Sequence, residues 1–380
     1  MNQNERPSQI VVQLTSPGRG AVATVRVEGP DCVATADRFF IAHNKKTLAD
    51  TPTDRPAVGH FHSPSSPAAE EVVARRCSPR AVEIHCHGGT ASVSRIVATF
   101  EAEGYTPITW SEWIERETPN LIRAEAYRDM AGAKTELTAT LLLYQYQGAL
   151  DREMEQIRQI DDPIERHERL RTLYDRSAWG AHLVRPWQIV LAGSPNVGKS
   201  SLMNRLLGYE RTITDPTPGT TRDLIRGPSV LAGWPVELID TAGLRDGDHP
   251  VEQQGVERAL GQLQVADLVL LLLDATRPPT DDEVALLNSL AEQHSVRFLV
   301  VRSKSDLAPT RDPWGPFADT PAATRAIDTS ATTGDGLDDL TAAIQSFLLP
   351  PTPPAATPIP WTAAQIQAIC AALKNLNPEP

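Results

Sequence analysis

The eight residues from Gly193 to Ser200 are Gly-Ser-Pro-Asn-Val-Gly-Lys-Ser, which fits the phosphate-binding pattern G-x-x-x-x-G-K-[ST]. In this pattern the glycines let backbone N–H groups turn towards a phosphate, and the start of the following helix adds positive potential. Lys199 would contact the β- and γ-phosphate oxygens as a catalytic residue, and the Ser200 hydroxyl would ligate Mg2+. The segment predicts a nucleotide site formed by Asn196, Val197, Gly198, Lys199, Ser200 and Ser201.

Two downstream segments have the order and spacing of a nucleotide switch. Asp240-Thr241-Ala242-Gly243 follows a predicted strand, so the Asp240 carboxylate can hold the Mg2+ shell while Gly243 meets the γ-phosphate. Between this segment and the phosphate loop lies Pro218-Gly219-Thr220-Thr221-Arg222-Asp223. Thr221 is predicted to close over the metal when the γ-phosphate is present, as a metal ligand and catalytic residue. The predicted switch residues are Thr220, Thr221, Asp240, Thr241, Ala242 and Gly243.

The identity of the base depends on Ser303-Lys304-Ser305-Asp306 and on Thr329-Ser330-Ala331. Asp306 can accept from N1–H and the 2-amino group of guanine, a pair of donors that adenine lacks, so GTP is favoured over ATP. A helix-capping turn is the alternative interpretation of Ser303 to Asp306. An Asn is expected where Ser303 stands, and the shorter side chain is expected to lose a base contact and a tether to the phosphate loop. The affinity for the nucleotide should therefore fall, while the preference for guanine is kept. The predicted base-site residues are Ser303, Lys304, Asp306, Ser330 and Ala331.

The side chains of these motifs can meet only if the ends of neighbouring strands lie side by side. Residues 186–349 have the sequence pattern of such a fold. Short apolar runs alternate with amphipathic helices, which predicts an α/β P-loop GTPase domain with a doubly wound, mainly parallel sheet. The helix after the phosphate loop is predicted over Ser201–Leu207. The predicted strands are Gln188–Ala192, Val236–Ile239, Asp267–Leu273 and Arg297–Val301.

The remainder of the chain is predicted to form three further segments. Residues 1–118 alternate strands with two helices, Asp31–Phe40 and Ala91–Glu103, as in an α+β domain. Residues 119–185 are helical, with Pro119 and Pro163 as helix starts, and form a reduced helical domain. Residues 350–380 hold a proline-rich linker and a helix over Thr362–Leu373. The strands predicted in the first segment are Gln9–Leu14, Ala21–Val27, Val58–His62, Glu71–Arg76 and Val82–Cys86.

Composition narrows the class of protein. The 380 residues carry a net charge of -12, which argues against a broad basic surface for nucleic acid. Four separated cysteines favour free thiols in a reducing compartment. No leader segment or apolar run of membrane-spanning length is present, so we expect a cytoplasmic protein without a membrane partner.

With these motifs assembled, the chain resembles the MnmE/TrmE family of tRNA-modification GTPases, which act at the wobble uridine. Ser16-Pro17-Gly18-Arg19-Gly20, followed by Val25-Arg26-Val27, is similar to the opening of that family. Glu83-Ile84-His85-Cys86-His87-Gly88-Gly89 is similar to its E-x-x-x-H-G-G stretch. The resemblance covers most of residues 8–349. It implies GTP and GDP as ligands, a homodimer formed through the N-terminal domain, tRNA as substrate, and an FAD-dependent partner enzyme.

The resemblance also implies roles for single residues. Asn196 matches a potassium ligand, so K+ would act beside Mg2+ and stimulate hydrolysis. Glu252 matches an acid that orients the attacking water through a second water, and the alternative is an exposed acid near a helix start. Arg26 and Glu83 match a pocket for a tetrahydrofolate derivative, either 5,10-methylene or 5-formyl. A metal site at His85, Cys86 and His87 is the rival, although strand alternation turns the middle residue away.

The chain also departs from the family pattern. The family's C-terminal C-x-G-K is not found around Cys370, which is expected to be a buried helix residue, and Thr214–Pro218 is one residue longer than the family's potassium loop. Two functions therefore remain open: GTP-driven modification of tRNA wobble uridine (U34), or a GTP-dependent ribosome-assembly or regulatory factor. An ATP-dependent kinase is disfavoured by Asp306.

Overall fold

The computed structural model describes residues 8–18, 20–209, 225–240, 266–292, 297–308 and 326–376. It divides into two compact units, Met1–Ala124 and Glu125–Pro380. None of the described helices is both long and apolar enough to cross a membrane. The predicted boundaries at residues 118, 185 and 349 stay predictions.

The first unit contains a seven-stranded sheet in the order β3-β4-β5-β6-β2-β1-β7. Alternation decides which side chains are inside: Ala23, Val25 and Val27 of one strand are buried while their neighbours are half-buried or exposed. The strands are β1 (Ile10–Gln13), β2 (Val22–Glu28), β3 (Phe40–Ala42), β4 (Pro56–Phe61), β5 (Glu70–Ser78), β6 (Ala81–His87) and β7 (Thr106–Ile108).

Helices α1 (Cys32–Phe39) and α2 (Thr90–Ala102) contribute to the core of this sheet, with α2 burying Ile96 and Phe100. All five predicted strands and both predicted helices are confirmed within a few residues. The three-residue strands β3 and β7 were not predicted, since so short a run has no periodicity. Helix α3 (Trp110–Glu117) was also missed, although Thr109 and Glu112 form a capping box before it.

The helical part of the chain contains α4 (Leu121–Met130), α5 (Glu136–Tyr146), α6 (Ala149–Arg158) and α7 (Pro163–Gly180). Pro163 starts its helix as predicted, with the Asp162 side chain accepting from the Ile164 N–H. Pro119 does not start a helix. Asn120 caps α4 instead, by accepting from the Arg123 N–H at 3.0 Å.

The second unit contains a six-stranded sheet in the order β13-β12-β11-β8-β10-β9. Every neighbouring pair is parallel except β10 and β9, which confirms the doubly wound, mainly parallel sheet. Edge strand β9 was missed because it contains Gly227 and Pro228. The strands are β8 (Trp187–Ala192), β9 (Ile225–Leu231), β10 (Trp234–Asp240), β11 (Leu268–Asp274), β12 (Phe298–Ser303) and β13 (Ile327–Thr329).

The parallel strands set the position of the site. Strand β11 is buried throughout and lies between β8 and β12, so the carboxyl ends of these three strands meet at one edge. The helices described in this part of the chain are α8 (Lys199–Tyr209), α9 (Asp281–Glu292) and α10 (Leu337–Leu348).

The segment predicted as a proline-rich linker ends inside the helical core. Gln145 of α5 donates to the Thr357 carbonyl at 2.9 Å and accepts from the Ile359 N–H at 3.3 Å. Trp361 is buried and donates from Nε1 to Asp129 at 2.9 Å. Residues 357–361 are therefore an anchored strap before the last helix, α11 (Ala363–Leu376). On that helix Ile369 is buried while Cys370 is half-buried, so the expectation of a buried Cys370 is wrong.

Replacing Gly180 by alanine tests the strap. A Cβ at Gly180 would overlap the Pro360 carbonyl, so Gly180→Ala should lower the free energy of unfolding by about 1–3 kcal/mol. Gly208→Ala is the matched control, because Gly208 is also helical but its added methyl would point into open space. The free energy of unfolding of this control should rise by up to about 1 kcal/mol. Thermal unfolding followed by circular dichroism measures both. Equal midpoints for the two variants would contradict the anchored strap.

Candidate functional site

The loop between β8 and α8 has a backbone that few residues can adopt. Gly193, Asn196 and Gly198 have φ angles of 142°, 60° and 103°. A Cβ at Gly193 would overlap the Leu272 carbonyl oxygen of β11, so this position requires glycine. Asparagine tolerates the left-handed region better than most residues, which suits Asn196. The loop therefore curls at the carboxyl edge of the sheet, with α8 starting directly behind it.

Lys199 lies at the first position of α8 and is buried. Its Nζ donates to the carbonyl oxygens of Gly193 and Ser194, both at 2.9 Å, so the ammonium is held inside the curl of the loop. Positive charge, the loop N–H groups and the start of a helix thus converge on one small volume. This arrangement is suited to binding the phosphates of a nucleotide.

Ser200 and Asp240 are brought together from two elements. The Ser200 hydroxyl donates to Asp240 Oδ2 at 2.5 Å, and Asp240 is fully buried at the end of β10. A hydroxyl and a carboxylate beside a phosphate loop are the hard oxygen ligands that Mg2+ takes. Two of the three residues predicted to organise Mg2+, Ser200 and Asp240, are therefore neighbours.

A cleft beside the phosphate loop gathers the residues predicted for the base. It is lined in part by residues from the loop, from the end of β12 and from the end of β13, namely Asn196, Gly198, Ser201, Ser303, Lys304, Asp306 and Ala331. Asp306 lies in a short 3-10 turn, Ser305–Leu307, and its side chain is exposed. This turn closes one side of the cleft, and its N-cap residue Lys304 makes no side-chain cap hydrogen bond, so the helix-capping alternative stays open.

Ser303 corrects one expectation. Its hydroxyl donates to the Val197 carbonyl at 2.6 Å, with the Leu273 carbonyl at 3.1 Å. The tether to the phosphate loop is therefore present, and the expectation that serine would lose it is wrong. The physical reason is proximity: Val197 is itself buried, and its carbonyl comes close enough for a short side chain.

Lys304 and Asp274 form an ion pair on the same edge of the sheet. Lys304 Nζ donates to Asp274 Oδ2 at 2.7 Å, and the Lys304 backbone is left-handed with φ of 60°. Burial acts to raise the pKa of Asp274, but hydrogen bonds from Lys304 and Thr276 outweigh it and the pKa is lowered. The lysine stem is thereby fixed along the cleft.

The loop after β13 is held from two sides. Arg205 of α8 donates to the carbonyls of Ala331 and Thr332, each at 2.7 Å. Ser330 is buried and accepts from the N–H groups of Thr332 and Thr333, which makes its side chain part of the turn. The Ser330 side chain therefore stabilises the loop itself, while Ala331 lines the cleft.

A buried carboxylate supports the phosphate loop from behind. Glu283 of α9 is 2% exposed, pairs with both terminal nitrogens of Arg277 and accepts from the Thr280 N–H at 2.9 Å. Burial acts to raise the pKa of Glu283, but hydrogen bonds from Arg277, the Thr280 N–H and Ser194 lower it overall. The sequence did not indicate this residue, because its partner Ser194 is distant in the chain.

Several predicted site residues lie outside the described residues. They are Thr220, Thr221, Thr241, Ala242, Gly243 and Glu252, together with the loop Thr214–Pro218. Their roles remain the expectations stated above.

A second candidate site lies in the first unit, around Arg26 and Glu83. Glu83 Oε1 accepts from Arg26 at 2.9 Å and Oε2 accepts from Arg75 at 2.6 Å. Burial acts to raise the pKa of Glu83, but the two arginines outweigh it and the pKa is lowered. Arg26 also donates to Glu28 at 2.5 Å and lies over the Trp113 ring.

Three members of this cluster were missed in the sequence: Glu28, Arg75 and Trp113. Arg26, Glu83 and Arg75 are cross-strand partners on β2, β6 and β5, so only the strand register reveals them together. Arg75 Nε is buried and bonds to no described group. The cluster offers both acceptors and donors to a polar ligand.

The rival metal interpretation of His85, Cys86 and His87 is not supported. Cys86 points into the hydrophobic core, and burial raises the pKa of its thiol to about 11. His85 instead bonds to Thr24 at 2.9 Å. Among the residues that the structure describes, no group of three His, Cys, Asp or Glu side chains could hold a metal ion.

Comparison with protein families gives two matches along the chain. Residues 9–117 match the family described as the GTP-binding protein TrmE N-terminus, and residues 188–304 match the family described as 50S ribosome-binding GTPase. The first match coincides with the sheet that carries Arg26 and Glu83. The second contains the phosphate loop, Asp240 and Ser303.

Comparison with characterised proteins gives the tRNA modification GTPase MnmE of several bacteria. The protein of Geobacillus kaustophilus is 33% identical over 376 residues, which is 88% of this chain and 80% of that protein. The protein of Thermus thermophilus is 33% identical over 374 residues, covering 88% of this chain and 81% of that protein. Among solved structures, an Era variant of Aquifex aeolicus bound to GDP and AlF4- is 29% identical, covers 44% of this chain and 58% of its own, and has a TM-score of 0.34.

Glu83→Gln tests the charged cluster by its pH dependence. The pKa of Glu83 is lowered in the fold, so its contribution to stability is present above the ordinary glutamate pKa and is lost as pH falls through the lowered value. Glu83→Gln should lower the unfolding free energy at pH 7 by about 1–2 kcal/mol, since the arginines are partly exposed. The gap between wild type and variant should close as pH falls below about 4. Chemical unfolding at a series of pH values measures the gap, and a constant gap would show that the Glu83 charge is not involved.

Proposed function

We infer the function of this protein from its family, because the chain belongs to the tRNA modification GTPases of the MnmE type. It is a GTP-hydrolysing enzyme. We propose that it couples GTP hydrolysis to modification of the wobble uridine U34 of tRNA, in the cytoplasm, as a homodimer acting with an FAD-dependent partner. The observation that carries this proposal is the presence in one chain of a TrmE-type N-terminal segment and a GTPase segment.

The nucleotide site supplies the groups that GTP hydrolysis needs. Lys199 and the loop N–H groups would hold the phosphates, and Ser200 and Asp240 would organise Mg2+, which supplies charge neutralisation when bound. The buried Asp240 carboxylate at 2.5 Å from the Ser200 hydroxyl suits such an ion. Asp306 would accept from the guanine N–H groups. Thr221 and Glu252 are proposed to close over the metal and to orient the attacking water.

Potassium is proposed as a second ion beside the phosphates. Asn196 is exposed at the tip of the phosphate loop with φ of 60°, and it lines the cleft. An amide oxygen there can ligate a monovalent cation, which would offset charge as the bond to the γ-phosphate breaks. Among the described residues, Asn196 is therefore the one on which the potassium proposal rests.

The cluster around Glu83 is proposed to bind a tetrahydrofolate derivative, either 5,10-methylene or 5-formyl. Each Glu83 oxygen accepts one arginine hydrogen bond and keeps a lone pair for a pterin N–H group. The buried Arg75 Nε, which bonds to no described group, is a donor for a polar ligand atom. The residues present thus fit a ligand with a donor–acceptor edge, and the bound folate would supply the one-carbon unit.

A ribosome-assembly or regulatory role is the second candidate. The observation that favours it is the family matched by residues 188–304, which is described as a 50S ribosome-binding GTPase. Both candidate functions use the GTPase site. They differ in the target of GTP hydrolysis, which is tRNA in the first and the ribosomal subunits in the second.

Potassium dependence tests the ion proposal. GTP hydrolysis by the full chain should be at least about tenfold faster in KCl than in NaCl at equal ionic strength, because a lost charge-stabilising group costs about 1.4 kcal/mol or more. Asn196→Ala should remove most of that difference. Ser305→Ala is the control, since Ser305 lies near the cleft but outside the phosphate loop, and it should keep the potassium response. Equal rates of the wild-type protein in both salts would reject the role of potassium.

Nucleosides of tRNA test the biological role. A strain lacking the gene should show loss of the aminomethyl-type modification at U34 by mass spectrometry, with normal ribosomal subunit ratios on sucrose gradients. Complementation with the wild-type gene should restore the modification, and complementation with Lys199→Ala should not, because the nucleotide phosphates would lose their cation. Unchanged U34 together with altered subunit ratios would favour the ribosome-assembly role instead.

A further inference from the structure

Arg205 is an exposed residue in the middle of α8, the helix that begins at the phosphate loop. Its guanidinium reaches the loop after β13, where Nε donates to the Ala331 carbonyl and Nη2 donates to the Thr332 carbonyl, each at 2.7 Å. A guanidinium presents its N–H groups as a rigid fork, so two bonds to consecutive carbonyls fix both the distance and the orientation of the loop. The first of these bonds joins residues that are 126 positions apart in the chain.

The hydrogen bonds within the loop do a different job. The N–H groups of Thr332 and Thr333 donate to the Ser330 hydroxyl oxygen, and the Gly334 N–H donates to the Ser330 carbonyl at 2.9 Å. These bonds shape the loop internally, whereas the two bonds from Arg205 attach it to α8. The loop therefore owes its shape to Ser330 and its attachment to this helix to Arg205.

The attached loop forms one wall of the cleft beside the phosphate loop. Ala331 and Thr332 line this cleft together with Gly198 of the phosphate loop and Ser201 of the first turn of α8. Helix α8 thus carries Lys199 at its start and, about two turns later, the arginine that holds the wall. One helix thereby sets the spacing between the phosphate end and the base end of the ligand site.

We propose that Arg205 is a positioning residue that prolongs the residence of the bound nucleotide, because it keeps the wall formed by Ala331 and Thr332 in its ligand-binding position before the ligand arrives. This role rests on the nucleotide site proposed above. It gives Arg205 no contact with the ligand and no part in base selection. Without the two bonds the wall must be ordered at each binding event, and that entropic cost lowers affinity mainly through faster dissociation.

Dissociation of a fluorescent GDP analogue, mant-GDP, tests this role with the full chain. The protein is loaded with the analogue in MgCl2 and mixed with excess unlabelled GDP, and the decay of fluorescence gives the dissociation rate. Arg205→Ala should release the analogue about three to ten times faster than wild type, with an association rate within about twofold, because lost preorganisation shortens the lifetime of the complex. Arg205→Lys should lie between the two, since an ammonium is a point charge without the fork that reaches both carbonyls. A dissociation rate of Arg205→Ala equal to that of wild type would overturn the role.

Arg152→Ala is the matched control. Arg152 is also an exposed arginine that donates to a backbone carbonyl at 2.7 Å, that of Gln147, but it lies on α6 outside the nucleotide-binding segment. Its variant should release mant-GDP at the wild-type rate. Thermal midpoints without nucleotide should stay close to wild type for all variants, because both arginines are exposed. A lowered midpoint of Arg205→Ala together with a wild-type dissociation rate would make Arg205 a residue of stability alone.

Steady-state GTP hydrolysis gives a second readout that a purely structural role would not move. Arg205→Ala should raise the KM for GTP by about three- to tenfold without lowering kcat, because the phosphate end of the site keeps Lys199 and Ser200 in place. A fall in kcat at unchanged KM would show that Arg205 acts on the chemical step, and would overturn the proposed role.

Lys199→Ala separates the role of Arg205 from the proposed nucleotide site. This variant should fail to retain mant-GDP, because the phosphates lose their cation. If it releases the analogue as slowly as wild type, the phosphate loop does not hold the nucleotide, and the proposed site falls together with the role of Arg205. If Lys199→Ala loses the analogue while Arg205→Ala keeps the wild-type rate, the site stands and only the role of Arg205 is overturned.

Discussion

The approach of the phosphate loop to strand β11 constrains most of the second unit. Gly193 lies so close to the Leu272 carbonyl that no side chain fits, and Ser303 ties Val197 of the same loop to the carboxyl ends of β11 and β12. The loop is thus fixed to the sheet at two points. From there Lys199 and Ser200 take their positions on α8, and Asp240 arrives from the neighbouring strand β10. Because the strands are parallel, a single loop conformation brings the phosphate loop, Asp240 and Ser303 to one edge of the sheet.

Sequence reasoning succeeded where chemistry and order are local, and failed where partners are distant. The strand, loop and helix around Gly193 to Ser200 follow from residues that are adjacent in the chain. The Ser303 tether joins residues 106 positions apart, and no pattern around Ser303 indicates where the Val197 carbonyl lies. Arg75 was missed for a related reason, since only the pairing of β5 with β6 places it against Glu83. The edge strand β9 was missed because its glycine and proline argue against a strand.

Buried carboxylates in both units are stabilised by arginine or lysine. Glu83 lies between Arg26 and Arg75, Glu283 is held by Arg277, and Asp274 pairs with Lys304. In each case burial alone would raise the carboxyl pKa, and hydrogen bonds from the cation reverse the direction. A chain of net charge -12 can therefore keep these acids ionised inside the fold without a basic surface. The acids serve as fixed acceptors around both candidate sites.

The GTPase segment lies in the chain between α7 and the strap. The helical core therefore contains residues that precede this segment and residues that follow it. Helix α7 leads directly towards β8, and the chain returns after α10 through the strap at residues 357–361. Gly180 at the end of α7 contacts the Pro360 carbonyl, and Gln145 bonds to Thr357 and Ile359. Entry and exit of the inserted segment thus meet at one place, as is usual for an inserted domain. Since α7 precedes the strand that carries the phosphate loop and α11 follows the strap, the helical core can close only after the whole nucleotide-binding segment has been made.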